Sequence, residues 1–258
     1  MEMTNHPSPP TPATSAAEDG TLTRTAYALR GVLAWAAFTL WALAALLLVA
    51  ITPGLERRRR ITHAAARRIL PWIGVRLDVR GLGNLPAGPC VVVANHASYL
   101  DGVVMKAALP PRFAYVVKRE MASVPLASLL LERIGTQFVE RFDHHKGASD
   151  ARRVLRSAHN GQALVFFPEG TFGNTPGLLK FHSGAFITAV RAGCPLVPAV
   201  IHGSRAVLPG TRLLPRPGRI VVEFLEPLPT AGEVTAPELR DRARALILER
   251  LGEPDLTA

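Results

Sequence analysis

The chain has 258 residues, 48% hydrophobic and 19% charged, which excludes wholesale disorder and fits one domain or two small ones. Thirty Lys and Arg against twenty Asp and Glu leave a net charge of +10, pointing to an anionic partner such as a membrane surface, a phosphorylated substrate or nucleic acid. Two cysteines, Cys90 and Cys194, both in apolar runs, exclude a disulfide framework and thiolate metal chemistry.

Residues 1–23 are rich in Pro, Thr, Ser and Ala without apolar periodicity, the signature of a disordered tail. Gly31 to Leu55 carries no charge over 25 residues, long enough for a membrane helix, and Pro53-Gly54 followed by Arg does not resemble a signal-peptide cleavage site. Residues 56–80 then hold eight Arg, one Glu and one Asp, net +6 of the chain's +10. Such a juxtamembrane cluster attracts anionic headgroups and places the downstream chain on the cytoplasmic side of the inner membrane. Ile61, Ala65, Ile69 and Trp72 recur at helical spacing opposite some of these Arg, predicting a second, interfacial helix. The apolar helix either spans or forms half of a hairpin, so residues 24–72 are read as a membrane-anchoring unit. No nucleic-acid motif accompanies the basic run, and none is expected as a partner.

From residue 73 to 258 short β-rich runs alternate with helical ones. Strands are predicted at 75–79, 90–94, 114–117, 137–140, 163–167, 196–201 and 219–224, and helices at 98–108, 124–134, 147–159, 183–192 and 236–251. Runs such as CVVVA and ALVFF are apolar without alternation, as in strands covered on both faces. The expected fold is α/β: a mixed, largely parallel sheet flanked by helices behind an N-terminal membrane-binding helix or helical hairpin.

Ligands of open α/β sheets bind beyond the carboxyl ends of the strands. Asn95-His96 follows the second predicted strand, Lys118 the third, Arg141 the fourth, and Pro168-Glu169-Gly170-Thr171 the fifth. A base, two cations and a carboxylate thereby converge on one edge. Within a regular helix His96 and Asp101 would diverge by about 140°, so His96 belongs in the preceding loop. From the first helical turn Asp101 can reach back to one ring nitrogen, fix its tautomer and leave the other nitrogen to accept a proton. Ser98 and Asp101 also fit a capping box, and the two roles are compatible. The Pro-Glu-Gly-Thr turn offers free amides to an anion or hydroxyl, and Glu169 is placed to meet a polyol or a basic group. Arg141 and Lys118 are read as phosphate clamps or as solvated charges. Asp143-His144-His145 lacks further ligands at helical spacing, so no metal is expected. There is no G-x-S-x-G elbow and no P-loop.

Together these segments resemble the lysophospholipid acyltransferase family. Asn95, His96 and Asp101 match its Asn-His-x4-Asp block, Gly135-Thr-Gln-Phe138-Val-Glu-Arg141 its Gly-x-x-Phe-x-x-Arg stretch, and Phe167 to Thr171 its Phe-Pro-Glu-Gly-Thr block. Val197-Pro198-Ala-Val-Ile201 matches a fourth block. The resemblance implies that His96 acts as general base on an acceptor hydroxyl with Asp101 orienting it, and that the oxygen attacks an acyl thioester. Acyl-CoA or acyl carrier protein serves as co-substrate without a further cofactor, and amides near Gly170 are placed to hold the oxyanion. Arg141 and Lys118 would hold the acceptor's phosphate, and Glu169, Gly170 and Thr171 its glycerol region. The acceptor implied first is 1-acylglycerol-3-phosphate. The family's phosphatidate-forming members continue the third block Thr-Arg-Ser, whereas this chain reads Thr171-Phe172-Gly173. That departure opens the alternatives of a lyso-ornithine lipid or a lysophospholipid with a larger headgroup. A membrane-associated acyl-thioester hydrolase using the same His and Asp on water is the alternative from another class.

Overall fold

The computed structural model describes residues 21–140, 144–212 and 214–257. Two long helices come first, α1 (Thr21–Ile51) and α2 (Leu55–Trp72), followed by strand β1 (Val75–Arg80) and strand β2 (Val91–Ala94). Next are α3 (Asp101–Ala108), β3 (Ala114–Lys118), α4 (Pro125–Arg133), β4 (Gln137–Val139), α5 (His144–His159) and β5 (Leu164–Phe166). The chain closes with α6 (Gly184–Ala192), β6 (Leu196–His202), the short α7 (Ser204–Val207), β7 (Gly218–Phe224) and α8 (Ala236–Leu251).

The seven strands form one sheet in the order β1-β7-β6-β2-β5-β3-β4. Five run parallel, β7 is antiparallel to β6, and β1 is parallel to β7, so the two strands at one edge are reversed. Alternation along β2 divides the core. Val92 and Ala94 face a cluster with Ile69, Leu70 and Met105, and Val91 and Val93 face one with Phe186, Leu239 and Ile247. From β2 the chain proceeds to β3 on one side, and the later step from β5 to β6 crosses to the other. The carboxyl ends of β2 and β5 therefore flank a topological switch point, where such sheets leave a crevice.

Most of the expected tail lies outside the described residues, and α1 starts at Thr21, ten residues before the uncharged run. It ends at Ile51 because Pro53 disfavours helix at Thr52, whose hydroxyl donates back to Leu48 O (2.6 Å). Residues Tyr27–Ile51 are long and apolar enough to cross a bilayer, and that window is only 17% buried. Yet the apolar stretch of α1 rests on the rest of the chain near both its ends. Gly31 lies so close to Leu214 that a Cβ would meet its side chain at 2.7 Å, and Arg133 Nη1 donates to Ala50 O (3.0 Å). Between them, Trp41 Nε1 donates to Ala65 O (3.0 Å), tying α1 to α2 as an antiparallel hairpin.

The face of α2 differs from the expected one. Its buried stripe is Arg59, Thr62, Ala66, Ile69 and Leu70, whereas Trp72 is 78% exposed. The reason is Arg59, which sequence pattern assigns to the solvated face. Its guanidinium donates to Ile134 O (2.8 Å), Arg112 O (3.0 Å) and Gln162 Oε1 (3.1 Å), joining α2 to the loops before β3, β4 and β5. Burial lowers its pKa, and the carbonyl dipoles satisfy the fork.

Candidate active site

Asn95 leaves the end of β2 fully enclosed. Its side chain accepts from Ile201 N (2.7 Å) and donates to Ile201 O (3.1 Å), which locks the end of β2 to β6 and fixes where His96 emerges. His96 Nδ1 lies 2.8 Å from Asp101 Oδ2, and the same oxygen accepts from Ala97 N (2.6 Å) and Ser98 N (2.8 Å). Asp101 has no solvent exposure. A carboxylate that is acceptor only and gathers two N–H donors requires Nδ1 to carry a proton, which leaves Nε2 as the lone-pair nitrogen. The capping role is present in part, since Asp101 reaches back to the amide of Ser98. The Ser98 hydroxyl instead donates to Leu208 O (2.7 Å) and accepts from Leu100 N (3.1 Å).

Two aromatic rings flank the imidazole. Phe167 stacks on it at 4.5 Å and Phe172 meets it edge-on at 4.6 Å, with Tyr99 edge-on to Phe172 at 4.8 Å. Phe167 is legible as the first residue of the Phe-Pro-Glu-Gly-Thr block. Nothing in the local pattern announces that Phe172 and Tyr99 meet, because they come from different loops.

Glu169 braces the histidine loop. It is 3% exposed, and its two oxygens accept from His96 N (2.6 Å) and Leu179 N (2.9 Å). Burial pushes its carboxyl up to about 7, against the two N–H donors and the nearby imidazole that favour the carboxylate. Buried and with each oxygen accepting a backbone N–H, it positions the histidine loop and the 170–179 segment. The turn is closed by Gly170 (φ 68°), whose N–H donates to Phe167 O (2.9 Å), so that amide is not free for an oxyanion.

His96, Lys118, Gly170, Thr171 and Phe172 all line one cavity of about 820 Å³, which extends between the sheet and α1 to α5. Lys118 is exposed at its rim. Arg141 lies outside the described residues, as do Asp143 and the side chains of His144 and His145. The backbone just before Arg141 is pinned by Asp150, which accepts from Glu140 N (3.0 Å) and from Arg119 Nη2 (2.6 and 2.8 Å). Most of the lining is apolar, but Lys106 and Tyr115, neither singled out by the sequence pattern, also border it. A lone Lys inside the apolar helix DGVVMKAA was the available signal for the first.

A histidine held by an enclosed carboxylate and opening into a largely apolar cavity at a sheet's switch point fits a transferase that acts on lipid chains. A family profile described as "Acyltransferase" matches residues 76–202. The chain is 31% identical over 222 residues to a lyso-ornithine lipid O-acyltransferase of Pseudomonas aeruginosa, covering 78% of this chain and 81% of that protein. It is 34% identical over 179 residues to the human 1-acyl-sn-glycerol-3-phosphate acyltransferase alpha, covering 68% and 63%. The crystal structure of the 1-acyl-sn-glycerophosphate acyltransferase of Thermotoga maritima superposes with a TM-score of 0.75 at 21% identity, over 88% of this chain and 95% of that one. The chain belongs to the acyltransferase family that contains these lysolipid O-acyltransferases, and it is an O-acyltransferase.

Proposed function

We propose that the protein transfers a fatty acyl group from an acyl thioester, acyl-CoA or acyl carrier protein, to the free hydroxyl of a lysophospholipid, with 1-acylglycerol-3-phosphate as the first acceptor. The observation that carries the chemistry is the His96–Asp101 contact, made by an imidazole that lines the cavity while its partner is fully enclosed. His96 Nε2 takes the hydroxyl proton as the oxygen attacks the thioester carbonyl, and Asp101 stabilises the imidazolium formed. Collapse of the tetrahedral intermediate breaks the carbon–sulfur bond, and the imidazolium returns its proton to the thiolate. The oxyanion is held by donors from Thr171 onward, because the Gly170 amide is committed. The apolar cavity receives an acyl chain. Lys118 at the rim, together with Arg141, meets the acceptor's phosphate.

The α1–α2 hairpin sets this site at the bilayer. The apolar stretch of α1 touches the rest of the chain near both its ends, which supports a helix lying in one leaflet rather than crossing, with Leu40, Leu47 and Ile51 turned outward. Arg57 and Arg60 meet anionic headgroups on the cytoplasmic face of the inner membrane. In this reading residues 73–258 form the catalytic domain and 24–72 its anchor.

Phe172 favours a second acceptor class. It occupies the place of the Arg that follows Thr in phosphatidate-forming relatives and packs on both His96 and Tyr99. An aromatic wall there suits a lysolipid without a phosphomonoester, such as a lyso-ornithine lipid, whose headgroup pairs one carboxylate with an ammonium. The test is the kcat/KM ratio for lysophosphatidate and lyso-ornithine lipid in wild type and Phe172→Arg. If lysophosphatidate is the natural acceptor, the wild type prefers it and the variant preserves that order. If the aromatic wall selects the other class, the wild type prefers lyso-ornithine lipid and the variant shifts the ratio toward lysophosphatidate by about tenfold, one charge-assisted hydrogen bond. Transfer to neither acceptor would refute both.

A further inference from the structure

Below the catalytic edge the cavity wall carries two polar side chains that the acyl-transfer chemistry does not use. Lys106 is 9% exposed and Tyr115 6% exposed, and both border the cavity. The Tyr115 hydroxyl is buried with no hydrogen-bond partner. The Lys106 ammonium sits 5.4 Å from the Tyr115 ring centroid and makes no hydrogen bond or ion pair among the described residues. The neighbouring cation, Arg59, is already committed to its oxygen acceptors and adds repulsion. An ammonium with only an aromatic face for company and a phenol without a hydrogen-bond partner are costly in an apolar wall unless something satisfies them.

Their depth is fixed by the elements that carry them. Lys106 lies five residues along α3 from Asp101, about 7.5 Å of helix, and Tyr115 lies three residues before Lys118 on β3, about 10 Å of strand. These rises set the two backbone positions below the catalytic edge, on the part of the wall that the acyl chain rather than its reacting carbonyl would pass. Ammonium is a donor only, whereas phenol both donates and accepts. An alcohol satisfies both at once, accepting from Lys106 Nζ and donating to Tyr115 Oη, provided the enclosed phenol turns its hydroxyl toward the cavity as the chain enters. The apolar lining around the pair requires hydrocarbon on either side of that oxygen.

We propose that Lys106 and Tyr115 form a subsite that recognises a hydroxyl group carried partway along the acyl chain in the cavity, and so select oxygenated over plain chains. The inference rests on the acyl-transfer reading and assigns the chain to the donor. The burial that depresses the Lys106 pKa to about 8 leaves it charged at neutral pH, the form this contact needs.

The experiment is a competition between palmitoyl thioester and a positional series of hydroxypalmitoyl thioesters, with one plain lysolipid acceptor, in wild type, Lys106→Met and Tyr115→Phe. The wild type should favour one or two adjacent mid-chain isomers by about tenfold or more, the size of a charge-assisted hydrogen bond. Lys106→Met should prefer the plain chain, with Tyr115→Phe between them. Tyr115→Phe alone decides the matter if Lys106→Met does not fold. No favoured isomer in wild type, or an unchanged ratio in the variants, overturns the subsite. A preference seen only when the hydroxyl is moved to the acceptor's own chain overturns its assignment to the donor. Absence of transfer from every thioester, plain ones included, would instead refute the acyl-transfer reading beneath it.

Discussion

Replacing Asp101 by Asn separates the orienting role of this carboxylate from its structural one. Three donors converge on Oδ2: His96 Nδ1 at 2.8 Å, Ala97 N at 2.6 Å and Ser98 N at 2.8 Å. The two backbone donors force an asparagine to place its amide oxygen there, so the histidine tautomer is kept and only the charge is lost. Charge-assisted bonds are about twice as strong as neutral ones, so weakening three of them costs about 3 kcal/mol. Against this, Oδ1 is buried without a partner, and burying a neutral amide in place of a charge recovers part of that loss. A net destabilisation of about 1–2 kcal/mol is expected by urea denaturation. The imidazolium in the transition state has no equivalent compensation, and acyl transfer should fall by about 10²–10³. Steady-state transfer measured where the variant is fully folded tests this. More than a tenth of wild-type kcat/KM in a folded Asp101→Asn protein, or a loss accounted for wholly by unfolding, would refute the argument.

The four consecutive Arg of α2 should divide by role. Arg59→Met leaves three buried oxygen acceptors without their donor and should cost about 3 kcal/mol of stability in chemical denaturation. Arg57→Gln with Arg60→Gln should leave stability unchanged and weaken binding to anionic but not neutral vesicles, by about 1 kcal/mol per Arg in a sedimentation assay. The Arg60–Glu56 pair adds little, being 59% and 81% exposed. Lys106→Met should stabilise the protein at pH 7. The folded protein holds this proton less tightly than the unfolded chain, about 8 against 10.5, chiefly through burial and then through Arg59. Wild-type stability should therefore rise with pH between those values, and the advantage of the variant should shrink over the same range by about 3 kcal/mol. An advantage independent of pH would contradict a buried charge at that position.

The fold was legible because strand periodicity and helix spacing are local properties. All seven predicted strands occur within one or two residues of their expected bounds, and the apolar runs at β2 and β5 are buried at the sheet centre. The convergence of His96, Asp101 and the Gly170 turn followed from the rule about strand ends. What escaped was set by tertiary partners. Arg59 reads as one more solvated charge until the carbonyls of residues 112 and 134 surround it. The structural role of Glu169 is invisible until its oxygens are seen on backbone amides ten and seventy-three residues away. Lys106 and Tyr115 are nine positions apart in sequence, and only the packing of α3 on β3 brings ammonium to ring.

The central claim is that His96 is the base of an acyl transfer to a lysolipid. It is tested most directly by incubating wild type and His96→Ala with an isotopically labelled acyl thioester and a lysolipid in vesicles, and identifying the labelled product by mass spectrometry. The account predicts a labelled two-chain lipid from the wild type, formed only when acceptor is present, and at least a hundredfold less from a folded, vesicle-bound His96→Ala protein. Near-wild-type transfer by that variant, or release of labelled fatty acid by the wild type at a rate indifferent to acceptor, would contradict it.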